Sequence, residues 1–157
     1  MSLDFAKLSF PLAKKDDLPQ LIRIMVRAYE SLSLKYLKRR YGPPGYDSEY
    51  AHIDWLVHGP YYKILYDGDI VGGFILDHRR DILFLNYFFI DVPFQHKGIG
   101  THVLRFLNAL STYCIEANTP DWAIQNQQFY TKNGFKQVDT YFDDDLGFTL
   151  YFYQKFK

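Results

Sequence analysis

The sequence predicts an α/β domain (a mixed α+β sheet with helices on its faces), and three observations carry that expectation. A hairpin signal, Asp67-Gly68-Asp69, lies between two apolar runs. The stretch Ile82–Ile90 is almost wholly apolar or aromatic, as a central strand covered on both faces would be. A loop carrying two glycines follows it at once and opens a helical pattern. The 157 residues contain no repeat, low-complexity tract or linker, so a single domain spanning 1–157 is expected.

In chain order, residues 8–13 form a short candidate strand. Asp16 or Asp17 then caps a helix in which Leu18, Leu21, Ile22, Met25 and Val26 recur at helical spacing. A second helix is expected over residues 31–40, stopped by the breaker cluster Gly42-Pro43-Pro44-Gly45. Residues 46–60 are ambiguous, with a helical turn at 53–57. Strands at 61–66 and 70–77 flank the hairpin signal, and the central run 82–90 comes next. A helix over 101–110, a short strand over 113–117 and a helix over 124–132 follow, the last closed by Asn133-Gly134. Two final strands, 135–142 and 148–156, enclose Asp143-Asp144-Asp145-Leu146-Gly147. The predicted order is β-α-α-β-β-β-α-β-α-β-β.

Composition excludes several classes of function. Lys and Arg number 18 against 18 Asp and Glu, so no nucleic acid and no acidic membrane surface is expected as a partner. Apolar residues at 48% and charged residues at 23% are the mix of a soluble domain. Aromatic residues make up 19%, which points to a core or cleft built from rings. Cys114 is alone, no apolar run is long enough to span a bilayer, and no secretion signal opens the chain, so a cytoplasmic location is expected. Met1-Ser2-Leu3 is compatible with a vector remnant. His52, His58, His78, His96 and His102 lack metal-ligand spacing, and no metal is expected. Cys114, in a predicted strand without a His partner, reads as a buried structural thiol.

The most informative stretch is Ile90-Asp91-Val92-Pro93-Phe94-Gln95-His96-Lys97-Gly98-Ile99-Gly100-Thr101. Amides at a helix start lack internal partners and carry the positive end of the helix dipole. Gly98 and Gly100 remove the Cβ atoms that would hold a phosphate away, while Lys97 adds a cation and Thr101 a hydroxyl. On their own, two such glycines are met equally in a plain strand-to-helix turn. Val103 stands where a dinucleotide-binding loop would carry its third glycine, and the Gly-Lys-Ser/Thr of a nucleoside-triphosphate loop is missing.

Gln95-x-x-Gly98-x-Gly100 after an apolar strand resembles the acyl-CoA signature of the GNAT (GCN5-related N-acetyltransferase) superfamily. A second stretch, Asn126-Gln127-Gln128-Phe129-Tyr130-Thr131-Lys132-Asn133-Gly134-Phe135, looks like that family's "N…FY.K.GF" segment. The element order agrees over nearly the whole chain. The resemblance implies a central mixed sheet splayed open beside the glycine loop, with acetyl-CoA as cosubstrate in the split. It implies backbone bonds from Ile90 and Val92 to the pantetheine arm, and a pyrophosphate held by Gln95, His96, Lys97, Gly98, Ile99, Gly100 and Thr101. Asn126 and Tyr130, four apart on one helical face, would reach the pantetheine and the sulfur.

A phenol suits that last position. Amine attack on a thioester must expel a thiolate, and a thiol of pKa about 8.5 can take a proton from a tyrosine of about 10 held beside it. The expected reaction is direct acetyl transfer to a primary amine of a small molecule or peptide. Where histone-type members carry a glutamate on the central strand, this chain has Phe84, and only Asn86 is polar within that strand. A lysine-like amine of pKa about 10.4 is neutral in about one part in 2,500 at pH 7, a deficit of about 4.6 kcal/mol, whereas an α-amine of about 7.8 lacks only about 1 kcal/mol. Either the acceptor is weakly basic or a base comes from elsewhere, with Glu30, Asp47, Glu49 and the 143–145 turn as candidates.

The likeness also implies an acceptor site walled by Tyr29, Glu30, Tyr36 and Tyr46 on one side and Asp143, Asp144 and Asp145 on the other. Two alternatives stand beside the enzyme: a non-catalytic acyl-CoA-binding module on the same fold, and a transferase of a longer acyl group. The aromatic last strand points to a homodimer or, equally, to burial within the sheet.

Overall fold

The computed structural model describes residues 2–111 and 113–157. Among these residues, seven strands form one sheet in the order β1-β2-β3-β4-β5-β7-β6. The strands are β1 (Leu8–Ser9), β2 (Tyr61–Tyr66), β3 (Asp69–Arg79), β4 (Ile82–Ile90), β5 (Cys114–Pro120), β6 (Lys136–Asp143) and β7 (Phe148–Phe156). The helices α1 (Leu18–Leu37), α2 (Glu49–His58), α3 (Ile99–Leu110) and α4 (Ile124–Lys132) connect them. All these strand pairs are antiparallel except β4 with β5.

The core lies in two layers. On one face, Leu21, Ile24 and Met25 of α1 pack on Tyr61, Ile75 and Phe89. On the other, Val103, Leu104 and Leu107 of α3 pack on Phe74, Leu76, Leu83, Leu85 and Ile115. Phe74 and Ile75 are neighbours in sequence yet belong to opposite layers, as a strand alternation of two requires.

The helical boundaries correct the sequence reading. No second helix begins at Ser31, because no Gly or Pro interrupts residues 20–37 and α1 runs unbroken until Lys38 turns left-handed at φ 61°. The second helix lies instead in the ambiguous segment, where Ser48 Oγ accepts from the Ala51 amide at 3.2 Å and starts α2. Asp17 sits at the N-cap of α1, but its carboxylate turns to Lys63 Nζ at 2.9 Å rather than to the helix. Pro11, which has no N–H to give, interrupts the first strand, leaving β1 two residues long and Leu12 in an isolated bridge to Tyr62. β7 is paired on both sides, so its aromatic run is interior to the sheet, and β6 is the edge.

One irregularity shapes the molecule's function. Leu76 pairs with Leu85 and Ile75 with Tyr87, so Asn86 is an extra residue on β4. The bulge reverses the alternation: Leu83 and Leu85 face α3, while Tyr87 and Phe89 face α1. Parallel pairing of β4 with β5 ends at Leu85–Ala117, one residue before the bulge. Beyond it β4 runs on to Ile90 while β5 stays with β7, and the sheet splays open.

Candidate active site

A cavity of about 460 Å³ fills the split. Its walls are the end of β4, the loop into α3, the inner side of α4 and one turn of α1. Asp91 N donates to Val71 O at 2.8 Å, so Asp91 faces β3 and its neighbour Ile90 turns its backbone groups toward the split. Phe88, two residues earlier, does the same. The expectation for Val92 is corrected: β4 has ended there, its N–H donates to Asp91 Oδ1 at 3.0 Å, and its carbonyl accepts from Gln95 N at 3.2 Å. Phe88 and Ile90 are therefore the strand residues that present backbone to the cavity.

On the loop, Gln95 Nε2 donates to Ile90 O at 2.7 Å and ties the loop back to the strand. His96 (φ 60°) and Gly98 (φ 92°) are both left-handed, alternating with ordinary residues, which curls successive amides around one concavity. Among the described residues, no group accepts from the amides of residues 96–101; the first bonded amide is His102, to Gly98 O at 3.4 Å. These free amides at a helix start, in a loop whose His96 lines the cavity with Lys132, have the character of an anion site. Gly100 has a further reason to be glycine, since a Cβ there would stand 2.7 Å from the Phe129 ring. Thr101 Oγ1 donates to Asn133 Oδ1 at 3.1 Å, so Thr101 joins α3 to α4 as well as lining the cavity. Lys97 lies on the loop outside the lining.

Tyr130 lies deeper, 6% exposed. Its ring stacks on Tyr153 with centroids 5.6 Å apart and meets Phe129 and Phe135 edge-on at 5.3 Å. These rings fix its direction. Burial pushes the phenol pKa well up, so it holds its proton throughout the neutral range. Asn126, one turn earlier, lines the cavity and donates from Nδ2 to Thr119 Oγ1 at 3.2 Å, which fastens α4 to the β5 side of the split.

Of the seven acceptor-site residues, only Tyr29 lines the cavity. Glu30 and Tyr46 pair with each other instead, Tyr46 Oη donating to Glu30 Oε2 at 2.7 Å, and that bond pushes the Tyr46 pKa up to about 12. Tyr36 lies beneath Lys35 Nζ, 5.1 Å from its ring centre. Asp143 Oδ1 accepts from the amides of Asp145 and Leu146, so it shapes its own hairpin turn. Phe84 is buried under the Arg79 guanidinium, 4.4 Å from its ring. Among the described residues, no carboxylate lines the cavity. The acids beside Phe84 are its two register partners: Asp77 on β3, which accepts from Arg79 Nε at 2.7 Å, and Glu116 on β5, which accepts from Gln154 Nε2 at 2.7 Å.

The sequence reading missed Ala28, Leu32, Phe94, Gln125, Gln128, Phe129, Lys132 and Asn133 as lining residues. Phe129, Lys132 and Asn133 fall within the quoted helix motif, where a spacing of three from Asn126 and from Tyr130 could have found Phe129 and Asn133. Ala28 and Leu32 carried no signal. Cys114 is buried, and burial pushes its thiol pKa up. Among the described residues, no cluster of His, Cys, Asp or Glu could hold a metal ion, and no helix is long and apolar enough to cross a membrane.

A sheet splayed beside an amide-rich loop defines a class of acyl-group transferase, and comparison with known proteins agrees. The sequence profile described as "Acetyltransferase (GNAT) domain" matches residues 58–137, just over half of the chain. Among solved structures, the fold is similar to that of the PaiA N-acetyltransferase from Thermoplasma acidophilum in complex with coenzyme A. The TM-score is 0.78 at 17% identity, covering 96% of this chain and 99% of that one. An acetyltransferase from Thermus thermophilus gives 0.77 at 16% identity, with 100% of both chains covered. The ribosomal-protein-S18-alanine N-acetyltransferase from Escherichia coli gives 0.71 at 14%, covering 95% and 93%. No curated protein matches by sequence. The chain belongs to the GNAT acetyltransferase family.

Proposed function

We propose that the protein transfers an acetyl group from acetyl-CoA to a primary amine of a small molecule or peptide, by direct attack in a ternary complex. The observation that carries this reading is the layout of one continuous cavity. Backbone at Phe88 and Ile90 that lacks a strand partner on the split side, and is met there by the side chains of Tyr29 and Gln95, leads to the free amides of 96–101 at one end, and the Tyr130 phenol lies in the same cavity. An arm bearing two amides needs strand-like partners, and a diphosphate needs clustered N–H donors. The chain supplies both. Ile90 would pair with the arm, the loop amides with His96 and Lys132 would hold the phosphates, and Asn126 would face the arm from α4.

Acetyl-CoA supplies an activated carbonyl and a thiol leaving group. The Phe88 N–H, aimed into the split, suits the negative charge that grows on the carbonyl oxygen. Tyr130, neutral because it is buried, is the proton donor for the departing sulfur. With no carboxylate among the described lining residues, the acceptor has to arrive neutral, which favours a weakly basic amine such as an α-amine.

The test is thiol release from acetyl-CoA against amino acids, short peptides, polyamines and aminoglycosides between pH 6 and 9. Turnover is expected with the less basic amines, with kcat/KM rising about tenfold per pH unit up to the acceptor's own pKa. A second reading, an acyl-CoA-binding module without catalysis, is favoured by Phe84 in place of a carboxylate. Tight CoA binding with no turnover across the panel would establish it.

A further inference from the structure

We propose that Tyr29 sets the length of the acyl group the cavity accepts, an inference that rests on the acyl-CoA reading above. The Tyr29 hydroxyl lies 3.3 Å from Phe88 N and 3.3 Å from Phe88 O, accepting from the first and donating to the second. Those backbone groups belong to the stretch of β4 that has lost its neighbour β5. The hydroxyl thus fills the place of a missing strand.

The same N–H is the donor that a thioester oxygen would use. An oxygen bonded there lies about 2.9 Å from the nitrogen, in the space the phenol oxygen holds. Two oxygens cannot share it. Acyl binding therefore displaces the hydroxyl, while the ring stays on α1, whose Met25 and Ala28 are buried in the core. The helix has no room to withdraw. The ring, flanked by Ala28 and Leu32, becomes the wall that the acyl methyl meets, and every added methylene is pressed against it.

Dissociation constants for CoA, acetyl-CoA and butyryl-CoA, measured by titration calorimetry on the whole chain, test the idea without knowledge of the acceptor. The unaltered protein is expected to favour acetyl-CoA over butyryl-CoA. Tyr29→Ala should move the butyryl-to-acetyl affinity ratio at least tenfold toward butyryl, since each newly buried methylene is worth about fourfold. Tyr29→Phe keeps the ring, so its ratio should stay put, while acetyl-CoA binds several-fold more tightly with no hydroxyl to expel. Unacylated CoA should bind all three alike. An unchanged ratio in Tyr29→Ala, or an equal shift in Tyr29→Phe, overturns the proposal. Should the alanine variant not fold, Tyr29→Leu removes the ring with less loss of packing, and the same ratio decides. Failure of the unaltered protein to bind CoA at all would be a separate result, and would sink the acyl-CoA reading instead.

Discussion

Among 14 tyrosines in the sequence, Tyr130 stands apart because three aromatic rings hold its direction and its pKa is raised by burial alone. A phenol in that state gives up a proton only to a base generated beside it. Tyr130→Phe keeps the ring packing and removes one oxygen, so folding should be unaltered. The expected outcome is a fall in kcat of about 10²-fold or more with little change in the KM for acetyl-CoA, read from steady-state thiol release. A variant with full turnover would remove Tyr130 from the chemistry. Tyr130 was legible because its neighbours form a motif. Tyr29 was named on the acceptor side, but its bond to Phe88 bridges 59 positions and leaves no trace in local spacing.

At the scale of elements, the splay is the product of a one-residue insertion and a change of neighbour. Asn86 adds a residue to β4 without one opposite, and β5 parts company with β4 at that level. The approach of α3 to α4 depends on Gly100, which lets the Phe129 ring close over the first turn of α3. Gly100→Ala places a methyl in a ring that packs against Phe88 and Tyr130, so relief is not cheap. We expect about 1–3 kcal/mol lost from urea unfolding. The thermal shift produced by saturating CoA should shrink as well, because the amides of the first turn move with Phe129. Normal stability with a normal CoA shift would contradict this account of the loop.

For the whole molecule, one buried histidine ties together three segments that are separate in sequence. His52 is fully buried; its Nε2 donates to Tyr46 O and its Nδ1 accepts from the Tyr61 hydroxyl, each at 2.9 Å. A carbonyl can only accept, which assigns the proton to Nε2. These bonds join α2, the loop before it and β2. Desolvation lowers the His52 pKa, so the unfolded chain binds a proton more readily than the native one. Its contribution to stability is complete above the unfolded value of about 6.5, and is lost as pH falls from there toward the depressed native value. Urea midpoints should hold between pH 8 and 7 and decline between 6.5 and 5. His52→Gln should be less stable by about 1–3 kcal/mol and decline less over that window. Parallel decline of both proteins would assign the pH dependence to other groups.

By itself, the sequence determined six of the seven strands to within a few residues, the helices α3 and α4, and the two motifs that name the family. These are local properties: alternation, turn residues and glycine placement act over a handful of positions. It misjudged where α1 ends because Ser31 resembles a helix start, and only the unbroken packing of α1 against β3 and β4 decides the matter. The cavity itself was decided in three dimensions. Which backbone groups lose a strand partner depends on where β5 leaves β4, and whether Glu30 faces a substrate or Tyr46 depends on how a loop 16 residues away folds back. Such outcomes are settled by competition among distant partners for the same hydrogen bonds.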